Sequence, residues 1–299
     1  MKLEGNLCTV IGAGSVGTVL AALLADAGIP VALWGRNAVP DLVAEGEAET
    51  VQIRVPVITR PEGLLLLCVH EESIDEVAGT WPGRTYVPFC NGVEGDAIAA
   101  RHGDVIGGVW RMTCTLVEPG RALFTRRGRI IVGRYPRGAD DETTRLAETL
   151  RAAGFDVGLS EEITRDRWLK LFVNLTSAAN ALIRKGDHAK PEFGTVKRVL
   201  LEEAREVFAR AGIRAASCDG RDASLDEEIE RQARGGGRER PVYNAIWRRL
   251  ARDRDPGERH HTTIADLGDA PANAAMQRLL DAATGPECYS AAEVLAQLR

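Results

Sequence analysis

The sequence predicts an α/β protein. A Rossmann-type dinucleotide-binding domain is expected over residues 1–160 and an all-helical domain over residues 161–299. Three observations carry that expectation. Short apolar runs alternate with helical patterns through the first half. A G-x-G-x-x-G run directly follows the first apolar run. Beyond about Glu161 the patterns are long and helical, with no convincing strand. Continuous apolar strands separated by helices suggest a parallel sheet covered on both faces.

The elements follow in order. Residues 7–11 read as a buried strand. Residues 16–27 have helical periodicity and end at Gly28, a plausible left-handed cap, with Pro30 beyond it. Residues 31–34 form the next strand, and 64–69 another that is apolar on both faces. Further strands are expected at 85–89, 105–108, 130–132 and 155–157, with a helix at 140–153. In the second half, helices are expected at 165–183, 197–211, 224–234, 243–251, 274–282 and 291–298. Gly235-Gly236-Gly237 is the strongest local breaker, read as a surface loop separating two of these helices.

Composition narrows the function classes. With 38 Lys+Arg against 43 Asp+Glu, the net charge of −5 argues against a nucleic-acid binder, which needs a basic face. No apolar run reaches the ~20 residues of a membrane span. The N-terminus enters a strand-like segment at once and does not read as a secretory signal. Cys8, Cys68, Cys90, Cys114, Cys218 and Cys288 are scattered, with no Cys-x-x-Cys pair and no Cys/His cluster. They read as reduced cysteines of a cytoplasmic protein without a structural metal.

Gly12-Ala13-Gly14-Ser15-Val16-Gly17 is the nucleotide motif. Gly12 would make the tight turn, Gly14 would let the backbone approach a pyrophosphate, and Gly17 would let the helix pack closely on the strand. The pyrophosphate would rest on the helix N-terminus, where free N–H groups and the dipole favour an anion. A tight βα turn that binds nothing is the plainer alternative. The second strand ends Trp34-Gly35-Arg36-Asn37. An acid there would accept from the ribose 2′-hydroxyl of NAD; Arg36 instead suits the 2′-phosphate of NADP, unless it is only a solvated turn residue.

The second informative stretch is Arg165-Asp166-Arg167-Trp168-Leu169-Lys170-Leu171-Phe172-Val173-Asn174. Lys170 lies in an otherwise apolar part of a helix, and Asn174, four residues on, shares its face. A half-buried ammonium beside an amide suits proton donation to a carbonyl that is receiving a hydride. A snorkelling lysine and a surface Asn would give the same spacing.

Together the glycine run, Arg36, Asn91-Gly92-Val93 after a later strand, Pro119-Gly120, and the W-x-K-x-x-x-N pattern at Trp168, Lys170 and Asn174 resemble ketopantoate reductases (2-dehydropantoate 2-reductases). These belong to the wider group of 6-phosphogluconate and β-hydroxyacid dehydrogenases. The resemblance spans nearly the whole chain in order and spacing, and is most specific up to about position 175. It implies an NADP-dependent reductase of a small 2-oxo acid, with the site in the cleft between the domains. Lys170 would be the general acid and Asn174 a substrate ligand. Asn91 would lie beside nicotinamide and substrate, and Val69 and His70 along the cofactor. A homodimer is a further expectation.

Several departures stand out. The family's lysine after the strand ending Cys68-Val69 is His70 here. Its second Asn, four residues beyond the first, is Ala178, and Asn180 lies about 120° away around a regular helix. Asn244 stands where the family has a Ser. Its substrate-binding Glu is replaced by Thr262 or Thr263, after His260-His261. On this reading Asn244, His261 and Thr262 join the substrate set. His261 could donate to a carboxylate or act in acid/base chemistry, but the pair reads somewhat better as a solvated turn before a helix. An intact cofactor half with an altered substrate half points to a related reductase with a different substrate. The alternatives are an opine- or β-hydroxyacid-type dehydrogenase and an NADP-binding regulatory protein without turnover.

Overall fold

The structure is a computed structural model that describes residues 8–218, 220, 224–234, 244–253, 257 and 259–299. The chain divides into two compact units, one ending at Arg167 and the other starting at Trp168. The division falls later than position 160 because the first turn of a helix is bound into the first unit.

The first unit carries the strands β1 (Cys8–Ile11), β2 (Val31–Trp34), β3 (Asp41–Glu45), β4 (Thr50–Arg54), β5 (Leu64–Leu67), β6 (Thr85–Pro88), β7 (Asp104–Arg111), β8 (Cys114–Glu118), β9 (Arg121–Phe124), β10 (Arg129–Arg134) and β11 (Asp156–Leu159). Its helices are α1 (Ser15–Asp26), α2 (Ile74–Thr80), α3 (Gly95–Ala99) and α4 (Asp141–Ala152). Seven strands form one sheet in the order β11-β10-β7-β6-β5-β1-β2. The run β7-β6-β5-β1-β2 is parallel, as the apolar strands predict, and β10 joins β7 antiparallel.

The other four strands make a second sheet, β4-β3-β9-β8, that the sequence reading did not anticipate. β3, β4 and β9 alternate: in β3, Leu42 and Ala44 face inward while Asp41 is exposed. That inner face and the main sheet bury α1 from both sides, so Val19 to Leu24 are all fully buried in one core. A helix segment covered on every side has to be apolar all round, which is what residues 19–25 are. The short helices α2 and α3, with one 3-10 turn at Glu71–Ser73, also escaped the sequence reading; seven and five residues are too few to show a helical period.

The helix α5 (Ile163–Asn174) begins in the first unit and continues into the second. The second unit adds α6 (Thr176–Leu182), α7 (Pro191–Arg210), α8 (Leu225–Ala233), α9 (Ala245–Asp253), α10 (His260–Leu267), α11 (Pro271–Asp281) and α12 (Ala291–Leu298). No strand occurs among its described residues, only a single bridge between Ile183 and Tyr289. The core packs Ala178 and Leu182 of α6 with Phe193 and Leu200 of α7, Met276 and Leu280 of α11, and Val294 of α12. Ser224–Glu227 and Ser290–Glu293 close capping boxes at the starts of α8 and α12. The expected continuous helix over 165–183 is broken at Leu175. The Gly235-Gly236-Gly237 breaker and the start of the expected 243–251 helix lie outside the described residues. Among the described residues, no helix is long and apolar enough to cross a membrane, and no group of His, Cys, Asp and Glu could hold a metal ion.

One buried ion pair fixes the start of α5. Arg167 is 1% exposed and Asp96, in α3, is fully buried. The guanidinium donates through Nε and Nη2 to the two Asp96 oxygens, and also to the carbonyls of Pro88 (2.9 Å) and Cys90 (3.5 Å). Burial alone disfavours the cation, and the Asp96 carboxylate more than offsets this, holding the guanidinium pKa above its usual value. Beside it, the Ser160 hydroxyl donates to Asp166 at 2.6 Å, tying the preceding turn to β11. Removing one member of such a pair leaves a buried charge uncompensated. Asp96→Ala is therefore expected to lower the unfolding free energy by about 3–5 kcal/mol in a urea titration, and a loss below about 1 kcal/mol would contradict it.

Candidate dinucleotide and reductase site

Each glycine of the motif has its own physical reason. Gly12 sits at φ +106°, and a Cβ there would lie 2.6 Å from the Cys68 carbonyl oxygen. Its N–H donates to Trp34 O at 2.7 Å, which ties the turn to the end of β2. A Cβ on Gly17 would run into the Gly12 carbonyl, so this glycine permits the close approach of α1 to the strand. Around Gly14 a Cβ would find nothing within 4 Å, so the backbone is open to an incoming group. Gly14 is also the N-cap of α1, without a side-chain cap and with no acid in the first turn. Ala13, Ser15 and Val16 complete the turn and are partly exposed. An open backbone approach and an uncapped helix start fit the pyrophosphate of a dinucleotide.

The other cofactor-side residues follow strand ends. Arg36 is exposed in the turn after β2. Val69 and His70 follow β5, with His70 exposed and its carbonyl accepting from Ser73 N at 3.0 Å. Asn91 is exposed after β6. The strands β1, β2, β5 and β6 are parallel neighbours, so these loops share the carboxyl edge of the sheet, the edge where doubly wound folds bind ligands.

Lys170 and Asn174 are both partly exposed on α5, one turn apart, while Leu169, Leu171 and Phe172 are buried. The family's second Asn position, Ala178, is 1% exposed in the core of the second unit, where an amide would be buried. Asn180 is partly exposed on α6, beyond the break at Leu175, so the angle of a regular helix does not apply to it.

The remaining candidates are placed differently from expectation. Asn244 caps α9: its Oδ1 accepts from Trp247 N at 2.9 Å and its Nδ2 donates to Ser177 O at 2.7 Å. Thr262 is partly exposed in the first turn of α10. The solvated turn expected for His260 and His261 is not found; both lie buried in that same turn because α10 packs on α11 and α7. His261, 2% exposed, is joined through Nδ1 to Asn273 Oδ1 at 2.7 Å. The Asn273 amide is oriented by Nδ2, which donates to Leu200 O (3.1 Å) and Glu203 Oε2 (2.8 Å). Its Oδ1 must then accept, and Nδ1 of the histidine carries the proton.

Sequence reasoning missed Glu71, Asp96 and Arg167. Glu71 Oε1 accepts from the backbone N–H of Glu94 (2.9 Å) and Gly95 (2.8 Å). Burial raises its pKa, and those two bonds act in the opposite direction. The Asp96–Arg167 partners are far apart in the chain and leave no local pattern.

The fold and turn define a dinucleotide-binding α/β unit followed by a helical unit. The ketopantoate reductase PanE/ApbA family profile matches residues 8–137, most of the first unit. The match contains the glycine turn, Arg36, His70 and Asn91 and ends before α5. The chain is similar to 2-dehydropantoate 2-reductase of Pyrococcus abyssi, with 28% identity over 204 residues, 60% of this chain and 67% of that protein. In fold it is similar to a PanE/ApbA family ketopantoate reductase from Ralstonia eutropha JMP134, with a TM-score of 0.76 at 20% identity over 98% and 99% of the two chains. D-mandelate dehydrogenase in complex with NADH has the same TM-score of 0.76 at 16% identity, over 92% of this chain and 98% of that one.

Burial lowers the His261 pKa to about 4 from its ordinary 6.5, more than the Asn273 bond raises it. The folded state therefore resists protonation that the unfolded state accepts. His261's contribution is complete above pH 6.5 and is lost as pH falls toward 4, by up to about 3 kcal/mol. Urea titrations of the wild type and His261→Gln should show that the wild type loses more stability across this interval. Parallel losses would contradict a buried neutral histidine.

Proposed function

We propose that the protein is a cytoplasmic NADP-dependent reductase that converts the carbonyl of a small 2-oxo acid to a hydroxyl. The observation that carries the reading is the Lys170–Asn174 pair, two partly exposed polar groups one turn apart on α5, beside the buried Leu169, Leu171 and Phe172. The family match and the glycine turn support it from the first unit. When bound, the reduced nicotinamide supplies the hydride. The backbone at Gly14 and the start of α1 hold the pyrophosphate, and Arg36 holds the 2′-phosphate. Asn91 orients the reacting groups from the β6 loop. Asn174 donates to the substrate, and the Lys170 ammonium gives its proton to the carbonyl oxygen as negative charge develops there.

A second reading concerns the substrate. The buried Ala178 in place of an Asn, and Asn244 engaged as a helix cap, support a 2-oxo acid other than ketopantoate. The fold likeness to D-mandelate dehydrogenase adds aromatic 2-oxo acids to the panel worth testing.

Two outcomes are expected. NADP(H) should bind at least about tenfold tighter than NAD(H), and Arg36→Ala should remove most of that preference. Equal affinities in a fluorescence titration would remove the argument for NADP. Lys170→Ala should lose roughly 10²–10⁴-fold in turnover on the accepted 2-oxo acid with little change in NADPH affinity. Near-normal turnover would assign the proton to another group.

A further inference from the structure

Glu71 joins two loops of the first unit that start from neighbouring strands. It follows His70 directly at the end of β5, and its carboxylate reaches the loop after β6. There Oε1 accepts from Glu94 N (2.9 Å), Gly95 N (2.8 Å) and the Cys90 thiol (4.0 Å). The loop is shaped to receive it. Gly92 stands at φ +99°, and a Cβ there would collide with the Glu71 carboxylate. A Cβ on Gly95 would meet Cys90 Sγ and lie 3.5 Å from Glu71 Oε1. The segment Asn91-Gly92-Val93-Glu94-Gly95 is thus wrapped around one partly buried carboxylate, and its other end is held by Asp96 on Arg167.

We propose that Glu71 is a positioning residue for the reductase reaction: by clasping the 91–95 loop to the end of β5 it sets the position of Asn91. The inference rests on the reading of Asn91 given above, and it adds a residue that touches neither substrate nor cofactor. Even a partly buried carboxylate costs free energy unless its lone pairs are used, so a residue filling space alone would not be an acid here. One oxygen accepts from both backbone N–H groups, and the Gly95 bond is partly buried, so the carboxylate supplies an acceptor that an apolar side chain at this position would not. The side chain spans adjacent strand ends and so restrains both His70 and Asn91 with one group.

The test compares the full-length wild type, Glu71→Ala and Glu71→Gln. Glutamine keeps an acceptor oxygen where Oε1 stands; alanine removes it. Residue-resolved amide hydrogen exchange of Glu94 and Gly95 reads the clasp without reference to activity. In Glu71→Ala both amides should exchange about tenfold faster or more, while Glu71→Gln stays close to the wild type. Turnover and NADPH affinity should follow the same order, with kcat on the accepted 2-oxo acid falling in the alanine variant and recovering in the glutamine variant. Unchanged exchange in Glu71→Ala would overturn the clasp. Faster exchange with unchanged kcat and NADPH affinity would overturn the positioning role. If the wild type reduces no 2-oxo acid, the functional reading fails, and exchange together with NADPH affinity still decides the fate of this proposal.

Discussion

The Arg167–Asp96 ion pair is the constraint around which the first unit's binding edge is organised. A guanidinium at 1% exposure has to find acceptors for its donors, and it finds them on three segments: Asp96 of α3, the end of β6 at Pro88, and Cys90 beyond it. The space is equally specified, since a Cβ on Gly107 of β7 would lie 2.6 Å from Asp96 Oδ2. A buried pair of this kind is a poor source of net stability compared with apolar side chains of equal volume. What it supplies is register. The first turn of α5, the loop that carries Asn91 and the middle of the sheet are each fitted to the same group. Lys170 lies three residues beyond Arg167 on that helix.

The turn proposed to hold the cofactor depends on exclusion more than attraction. Gly12 and Gly17 are places where no side chain fits, and the result is an α1 start that remains open at Gly14. The second sheet contributes indirectly. By covering the far side of α1 it lets the middle of that helix, Val19 to Ala25, be apolar on every face, which binds its axis firmly into the core. Helix position matters on the proposed reading because the N–H groups at its start would hold the pyrophosphate. In the second unit, Glu203 plays a comparable part. Its carboxylate accepts from Ala272 N (2.8 Å) and Asn273 N (2.7 Å) at the start of α11, and Asn273 in turn holds His261.

What could be read from the sequence was what is encoded locally. The β1–turn–α1–β2 order needs only apolar runs and three glycines in a row of six, and α12 appears where its period places it. The second sheet was not legible because β3 takes its partner β9 from far along the chain, and five-residue alternating strands look like ordinary surface segments. The break at Leu175 was hidden too: the apolar pattern runs through it, and it shows only in the geometry, where Leu175 N is shared between Leu171 O and Phe172 O. For the site, Lys170, Asn174 and Arg36 were visible as residue types in unusual company. His261 was misread as a turn residue because the Asn273 and Glu203 that satisfy it lie twelve and fifty-eight positions away. Glu71, Asp96 and Arg167 carry no local signature, since each is defined by partners from other elements.

In the proposed reaction, hydride passes from the nicotinamide to the carbonyl carbon of a 2-oxo acid. The most direct measurement is isotopic: NADPH deuterated at C4, on either face, incubated with a panel of 2-oxo acids, and the products analysed by mass spectrometry and NMR. The account predicts a 2-hydroxy acid carrying deuterium at C2 from one labelled face and none from the other. Bound NADPH that leaves every acid in the panel unreduced, or a hydroxy acid that acquires no deuterium from either face, would contradict it.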